Sequence, residues 1–151
     1  MATVILTETW GMEISASPCA AIQEGAATNQ GHSINFNLPA GSVIPLNTAL
    51  PAFQHDVSIV GPGASQLTIQ RSAAGGTPNF LIFSFIPING NFNNSISGVT
   101  LANGNNFNTG STFPQGGCLY NASPDVTTLT DVTFRGCASL TNGGGIYNGG
   151  R

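Results

Sequence analysis

A chain of 151 residues, 40% of them hydrophobic, is long enough for one domain with a packed core. Only 6% of it is charged, against about 25% in ordinary domains, so solubility rests on Asn, Ser, Thr and Gln. The net charge is −3 and the basic residues are Arg71, Arg135 and Arg151 alone, without a single lysine; this excludes the electrostatic footprint of a nucleic-acid binder or of a protein drawn to anionic lipid.

Thr3 to Thr9 alternates polar and apolar residues, which predicts a strand. Before it stands no basic n-region, so no signal peptide is read in this chain; if the protein is exported, the chain is its mature form or an excised piece. Ser17 to Ala27 is the one predicted helix, with Ser17 as N-cap and Pro18 in the first helical position. Cys19, Ile22 and Ala26 share its apolar face, a stripe narrow enough to lie as a lid over the first strands.

From Ser33 onward the pattern is strand only. Ile34 to Leu38 alternates and ends at Pro39, and Val43 to Leu46 is a short piece in which Pro45 argues for an edge or a bend. Val57 to Gln70 reads VSIVGPGASQLTIQ: two alternating runs around a Gly61 to Ser65 corner too short for a helix. Its flanking strands are expected to stack on earlier and later turns of chain, not on each other. Phe80 to Ile88 and Ile96 to Leu101 follow as further strands. The former is the longest apolar run and, broken by Ser84 and Pro87, is far short of the roughly 20 residues that cross a membrane. Asn89-Gly90, Asn103-Gly104, Asn142-Gly143 and Asn148-Gly149 mark corners, since both residue types accept positive φ.

Asn-Gly also makes hairpins, and an antiparallel meander would use it so. The internal repeat argues against that fold. Gly116-Gly117-Cys118-Leu119-Tyr120-Asn121 returns as Gly143-Gly144-Gly145-Ile146-Tyr147-Asn148, and Ser97-Gly98-Val99-Thr100-Leu101 returns as Thr130-Asp131-Val132-Thr133-Phe134, at offsets of 27 and 33 residues. Strand motifs recurring in the same order, with no helix between them, predict a β-solenoid. Leu119 is expected to stack on Ile146 and Leu101 on Phe134.

These residues carry a family resemblance. Gly116-Gly117-Cys118-Leu119 and Gly143-Gly144-Gly145-Ile146 resemble the GGA[ILV] repeat of the polymorphic outer membrane proteins. Phe134-Arg135-Gly136-Cys137 resembles their FxxN motif, with Cys137 where Asn is usual, and Leu101-Ala102-Asn103-Gly104 is a weaker copy. The N-terminal half resembles the CSLREA region that opens many bacterial right-handed parallel β-helix repeat proteins: Pro18 to Ile22 for its helix, Ile34 to Phe36 for its first strand, Ile59 to Ile69 for its GPGAS strand pair. The Arg and Glu usual in that helix are absent here. The resemblance implies a right-handed parallel β-helix and an adhesin-like surface or secreted role.

Of the three cysteines, at least one is unpaired. Cys118 and Cys137 read either as small buried hydrophobes or as a disulfide between neighbouring turns, which fits an oxidising compartment; the residues leave both open. No Cys-x-x-Cys or His-x-x-His spacing points to zinc.

Catalytic constellations are not read. β-Helix hydrolases need clustered aspartates, yet Asp56, Asp125 and Asp131 each stand without an acidic neighbour. Lyase chemistry wants a carboxylate cage for calcium, and Arg71 and Arg135 have none beside them. Asp131 and Arg135 read as a solvated pair, and His32 and His55 as histidines in polar loops. The glycine runs lack the lysine of a phosphate loop. Thr127, Thr128, Thr130 and Thr133 make one threonine row, too few for the regular array of an ice-binding solenoid. Asn93-Asn94-Ser95 and Asn121-Ala122-Ser123 match the glycosylation sequon.

The expected protein is therefore all-β: a right-handed parallel β-helix, residues 1–40 forming an N-terminal cap of strand, short helix and first strand, and residues 41–151 the repeated turns. Its expected function is that of a non-catalytic bacterial scaffold, extracellular or on the outer-membrane surface. Its expected partners are host or neighbouring-cell surface proteins or glycans, with no nucleic acid, no cofactor, no metal and no membrane insertion. The alternative is the N-terminal part of a carbohydrate-active β-helix enzyme, a polysaccharide lyase or hydrolase whose catalytic turns lie beyond this chain. The C-terminal turn, starting GGGIYN, is expected to be uncapped and to associate end to end or continue into a longer array.

Overall fold

The computed structural model describes residues 3–8, 13–16, 20, 22–23, 31–87, 90–107, 114–122 and 126–149. The protein is nearly all β, built on a curled parallel sheet. From residue 31 the strands fall into four successive sets, called passes below, each paired in parallel with the next. The first pass holds β3 (His32–Asn37), β4 (Ser42–Leu46) and an isolated bridge at Phe53. The second holds β5 (Val57–Val60), β6 (Leu67–Arg71) and β7 (Phe83–Phe85). The third is β8 (Asn93–Ala102), β9 (Asn105–Asn106) and β10 (Leu119–Asn121), and the fourth is β11 (Val126–Arg135), β12 (Ala138–Ser139) and β13 (Ile146–Asn148).

Each strand pairs in parallel with its equivalent one pass away, so like residues stack. Ile34, Ile59, Ile96 and Leu129 form one inward ladder, and Ile44, Ile69, Leu101 and Phe134 a second. Phe83, Leu119 and Ile146 form a third on another side. Both expected stacks, Leu119 on Ile146 and Leu101 on Phe134, are present. Period-two alternation explains the register, because a slip of one residue would turn every apolar side chain outward. One core cluster runs from Ile22 to Leu119, with Phe53 packed at 5.8 and 5.6 Å from the rings of Phe83 and Phe85. Each fully buried Ile, Leu or Phe contributes about 1.5–3 kcal/mol relative to exposure.

β5 and β6 do not pair with each other; both pair with β8, as expected for the two runs around Gly61 to Ser65. The corner between them shortens along the chain. Asn35, Val60, Ser97 and Thr130 are register equivalents, as are Val43, Thr68, Thr100 and Thr133. Residues 36–42 and 61–67 therefore fill the corner in the first two passes, but only 98–99 and 131–132 in the last two. The short form needs a left-handed residue, and Gly98 (φ 63°) and Asp131 (φ 50°) supply it.

At the start of the chain β1 (Thr3–Glu8) lies antiparallel to β3, and β2 (Glu13–Ala16) antiparallel to β1. No helical element is seen capping this end: the first edge is covered by this antiparallel pair, and only three residues of the expected helix are described. Ala20, Ile22 and Gln23 are helical, with Ile22 fully buried in the core, while the rest of Ser17 to Ala27 lies outside the described residues. β4 ends the sheet, which places Pro45 on an edge strand as its missing N–H requires.

Candidate functional surface

Outward positions of the curled sheet form rows, polar but for Val60, that run across the strands. Ser33, Ser58, Ser95 and Thr128 make one row; Asn35, Val60, Ser97 and Thr130 make the next. Adjacent strands set members of a row about 4.8 Å apart, and two residues of rise set the rows about 6.6 Å apart. Ser95 Oγ donates to Ser58 Oγ at 3.0 Å, and Ser97 Oγ to the Ile59 carbonyl at 3.4 Å. The threonines of β11 do not share one face. Thr128 and Thr130 are exposed, but Thr127 sits at an inward register position, with its hydroxyl buried and without a hydrogen-bond partner. Strand alternation turns neighbours to opposite sides, so the hydroxyl surface is assembled from different passes.

Asp56 and Asp131 are engaged by backbone. Asp56 Oδ1 accepts the Asn93 N–H at 2.8 Å, and Asn94 Oδ1 accepts the Val57 N–H at 3.2 Å, tying the start of β5 to that of β8. Asp131 Oδ2 accepts the Ala64 N–H at 3.0 Å across 67 residues of sequence. Sequence reasoning paired Asp131 with Arg135; the partner is a corner amide, which no local spacing could reveal. Asp125 lies outside the described residues. His32 belongs to β3 and is buried, a correction to its placement in a polar loop, whereas His55 meets the ring of Phe92 edge-on at 5.6 Å. Among the described residues no group of His, Cys, Asp and Glu is placed to hold a metal ion, and no helix is long and apolar enough to cross a membrane.

On the third side, Tyr120 and Tyr147 stack with ring centroids 5.4 Å apart and planes within 9°. Burial, with the Tyr147 phenol beside it, pushes the Tyr120 hydroxyl above the ordinary 10.0. Next to them Asn121 Nδ2 donates to Asn148 Oδ1 at 2.8 Å. Asn121 is only 3% exposed, so the second sequon presents no acceptor amide to solvent; Asn93 of the first is exposed at the start of β8.

Cys118 and Cys137 form a disulfide, Cα atoms 5.4 Å apart, that ties the third pass to the fourth. Of the two readings left open by the residues, this is the one the structure contains. Cys19 lies outside the described residues.

No family model matches the chain, and neither a curated protein nor a solved structure does.

Proposed function

We propose that the chain is a right-handed parallel β-helix scaffold, extracellular or on a bacterial cell surface, that acts as an adhesin-like segment binding neutral glycans along its outward rows. The observation that carries this reading is the uncharged hydroxyl face of Ser33, Ser58, Ser95, Ser97, Thr128 and Thr130, held in register by the parallel ladders. A face without charge recognises by neutral hydrogen bonds and shape, which suits hydroxyl-rich ligands better than anionic ones. Repetition lets such a face extend without disturbing the core behind it. The Cys118–Cys137 disulfide agrees with an oxidising compartment. No cofactor or catalytic group is part of the proposal.

A glycan array tests it. Wild-type chain should bind one or more neutral glycans. Thr128→Lys with Thr130→Lys, both at exposed positions, should abolish that binding while the unfolding curve stays in place. Silence across the array, or binding that the double variant leaves intact, would refute the glycan reading and turn attention to protein ligands.

A further inference from the structure

The two outward rows have a direction and a repeat. Along one strand the polar outward positions soon end at the corner: Ser95 and Ser97 stand in β8, and Gly98 then turns the chain. Across the strands a hydroxyl recurs on every pass, at Ser33, Ser58, Ser95 and Thr128, with Asn35, Ser97 and Thr130 in the row beside it. The step along a row is the strand spacing, about 4.8 Å, and the rows lie about 6.6 Å apart. Hydrogen bonds join row to row as well as pass to pass. Asn35 Nδ2 donates to Ser33 Oγ at 3.1 Å, and Ser95 Oγ to Ser58 Oγ at 3.0 Å. A hydroxyl carries one donor and two lone pairs, so each of these serines keeps capacity for a ligand. Val60, 38% exposed, is the apolar member.

We propose that the ligand is a straight chain of neutral sugars joined by equatorial β-1,4 linkages, lying across the strands with one sugar to each pass. The inference rests on the neutral-glycan reading and names the class of glycan. Two features select it. The equatorial linkage holds such a chain extended, and each sugar advances by a step close to the strand spacing, so successive sugars meet equivalent hydroxyls. Its own hydroxyls line both edges of a flat ribbon, and the two rows receive one edge each. An α-1,4-linked chain coils instead and leaves the rows after its first sugars. A charged chain would meet no counter-charge, because neither row contains a charged residue.

Titration of the isotope-labelled protein, followed by nuclear magnetic resonance, tests the proposal. The ligands are cello- and chito-oligosaccharides from disaccharide to tetrasaccharide, with α-1,4-linked malto-oligosaccharides as the contrast. Affinity for the β-1,4 series should rise roughly fivefold with each added sugar, the worth of one neutral hydrogen bond per pass. The α-1,4 series should show no such rise. Val60→Lys sets a long charged side chain in the second row, between Asn35 and Ser97, at an exposed position, and should remove the rise. If Val60→Lys shifts the unfolding curve, Ser97→Lys, next in the same row, replaces it with the same expectation. Affinity independent of length, equal gains for the two linkages, or a rise that survives the lysine would overturn the ribbon and leave the neutral-glycan reading standing. Failure to bind any glycan on the array would overturn both.

Discussion

Gly98→Ala should unfold this protein far more readily than the same change at the equivalent position one pass later, Asp131→Ala. Gly98 sits in the left-handed region at φ 63°, which costs a residue with a Cβ about 1–2 kcal/mol. A Cβ there would also lie 2.9 Å from the Gly63 nitrogen and closer still to the Gly61 carbonyl oxygen. Both belong to backbone, and both are held by the hydrogen bonds Gly61 N–H to Ser97 O (2.8 Å) and Gly63 N–H to Gly98 O (2.9 Å). Relieving the clash breaks or stretches those bonds, at about 1 kcal/mol each. The sum is about 3–4 kcal/mol. Asp131 adopts φ 50° with a Cβ already in place, so Asp131→Ala loses chiefly the bond to the Ala64 N–H, about 1–1.5 kcal/mol. Urea unfolding followed by far-UV circular dichroism measures both. Equal losses at the two positions, or a Gly98→Ala cost below about 1 kcal/mol, would refute the claim that close approach of the two corners fixes residue 98 as glycine.

Two further outcomes follow from bonds and burial. Replacing Cys137 by Ser removes a cross-link spanning 19 residues and should cost about 3 kcal/mol; thiol counting before and after reduction should show the pair oxidised in the folded wild type. Tyr120, whose folded hydroxyl titrates above 10.0, should make stability fall as pH rises past that value, because the unfolded chain releases the proton first; stability is unaffected below it. Tyr120→Phe should flatten this alkaline slope, and an unchanged slope would mean that another group is responsible.

How much of this was legible in the residues varies by element. The inward ladders were, because alternation such as Ile34–Phe36 and Leu67–Ile69 leaves only one face to bury, and the doubled GG-x-[IL]-Y-N motif announces its own partner. The spacing between passes was harder: Ile34 to Ile59, Ile59 to Ile96 and Ile96 to Leu129 are 25, 37 and 33 residues, since connecting loops differ. β2 escaped notice because Glu13 to Ala16 is too short to show a period. Phe80 to Ile88 read as one long strand, whereas among the described residues of the run the strand is Phe83–Phe85; an apolar run records burial and not strand length. The polar surface was the least legible part. Its rows join residues dozens of positions apart, which no spacing along β11 could reveal. Asp131 shows the same limit, since its amide partner at Ala64 belongs to a different pass.

The shortening corner has a meaning for how such a chain can change. Residues 36–42 and 61–67 bridge the same two half-sheets that single-file pairs 98–99 and 131–132 bridge later, and the ladders on either side keep their alignment throughout. The frame is indifferent to how much chain is spent at that bend. Ser65, exposed in the longer form, is therefore a place where a foreign loop could be displayed without disturbing its foundation. By the same property, lineages can acquire or discard protrusions there one at a time, leaving the stacked interior unaltered.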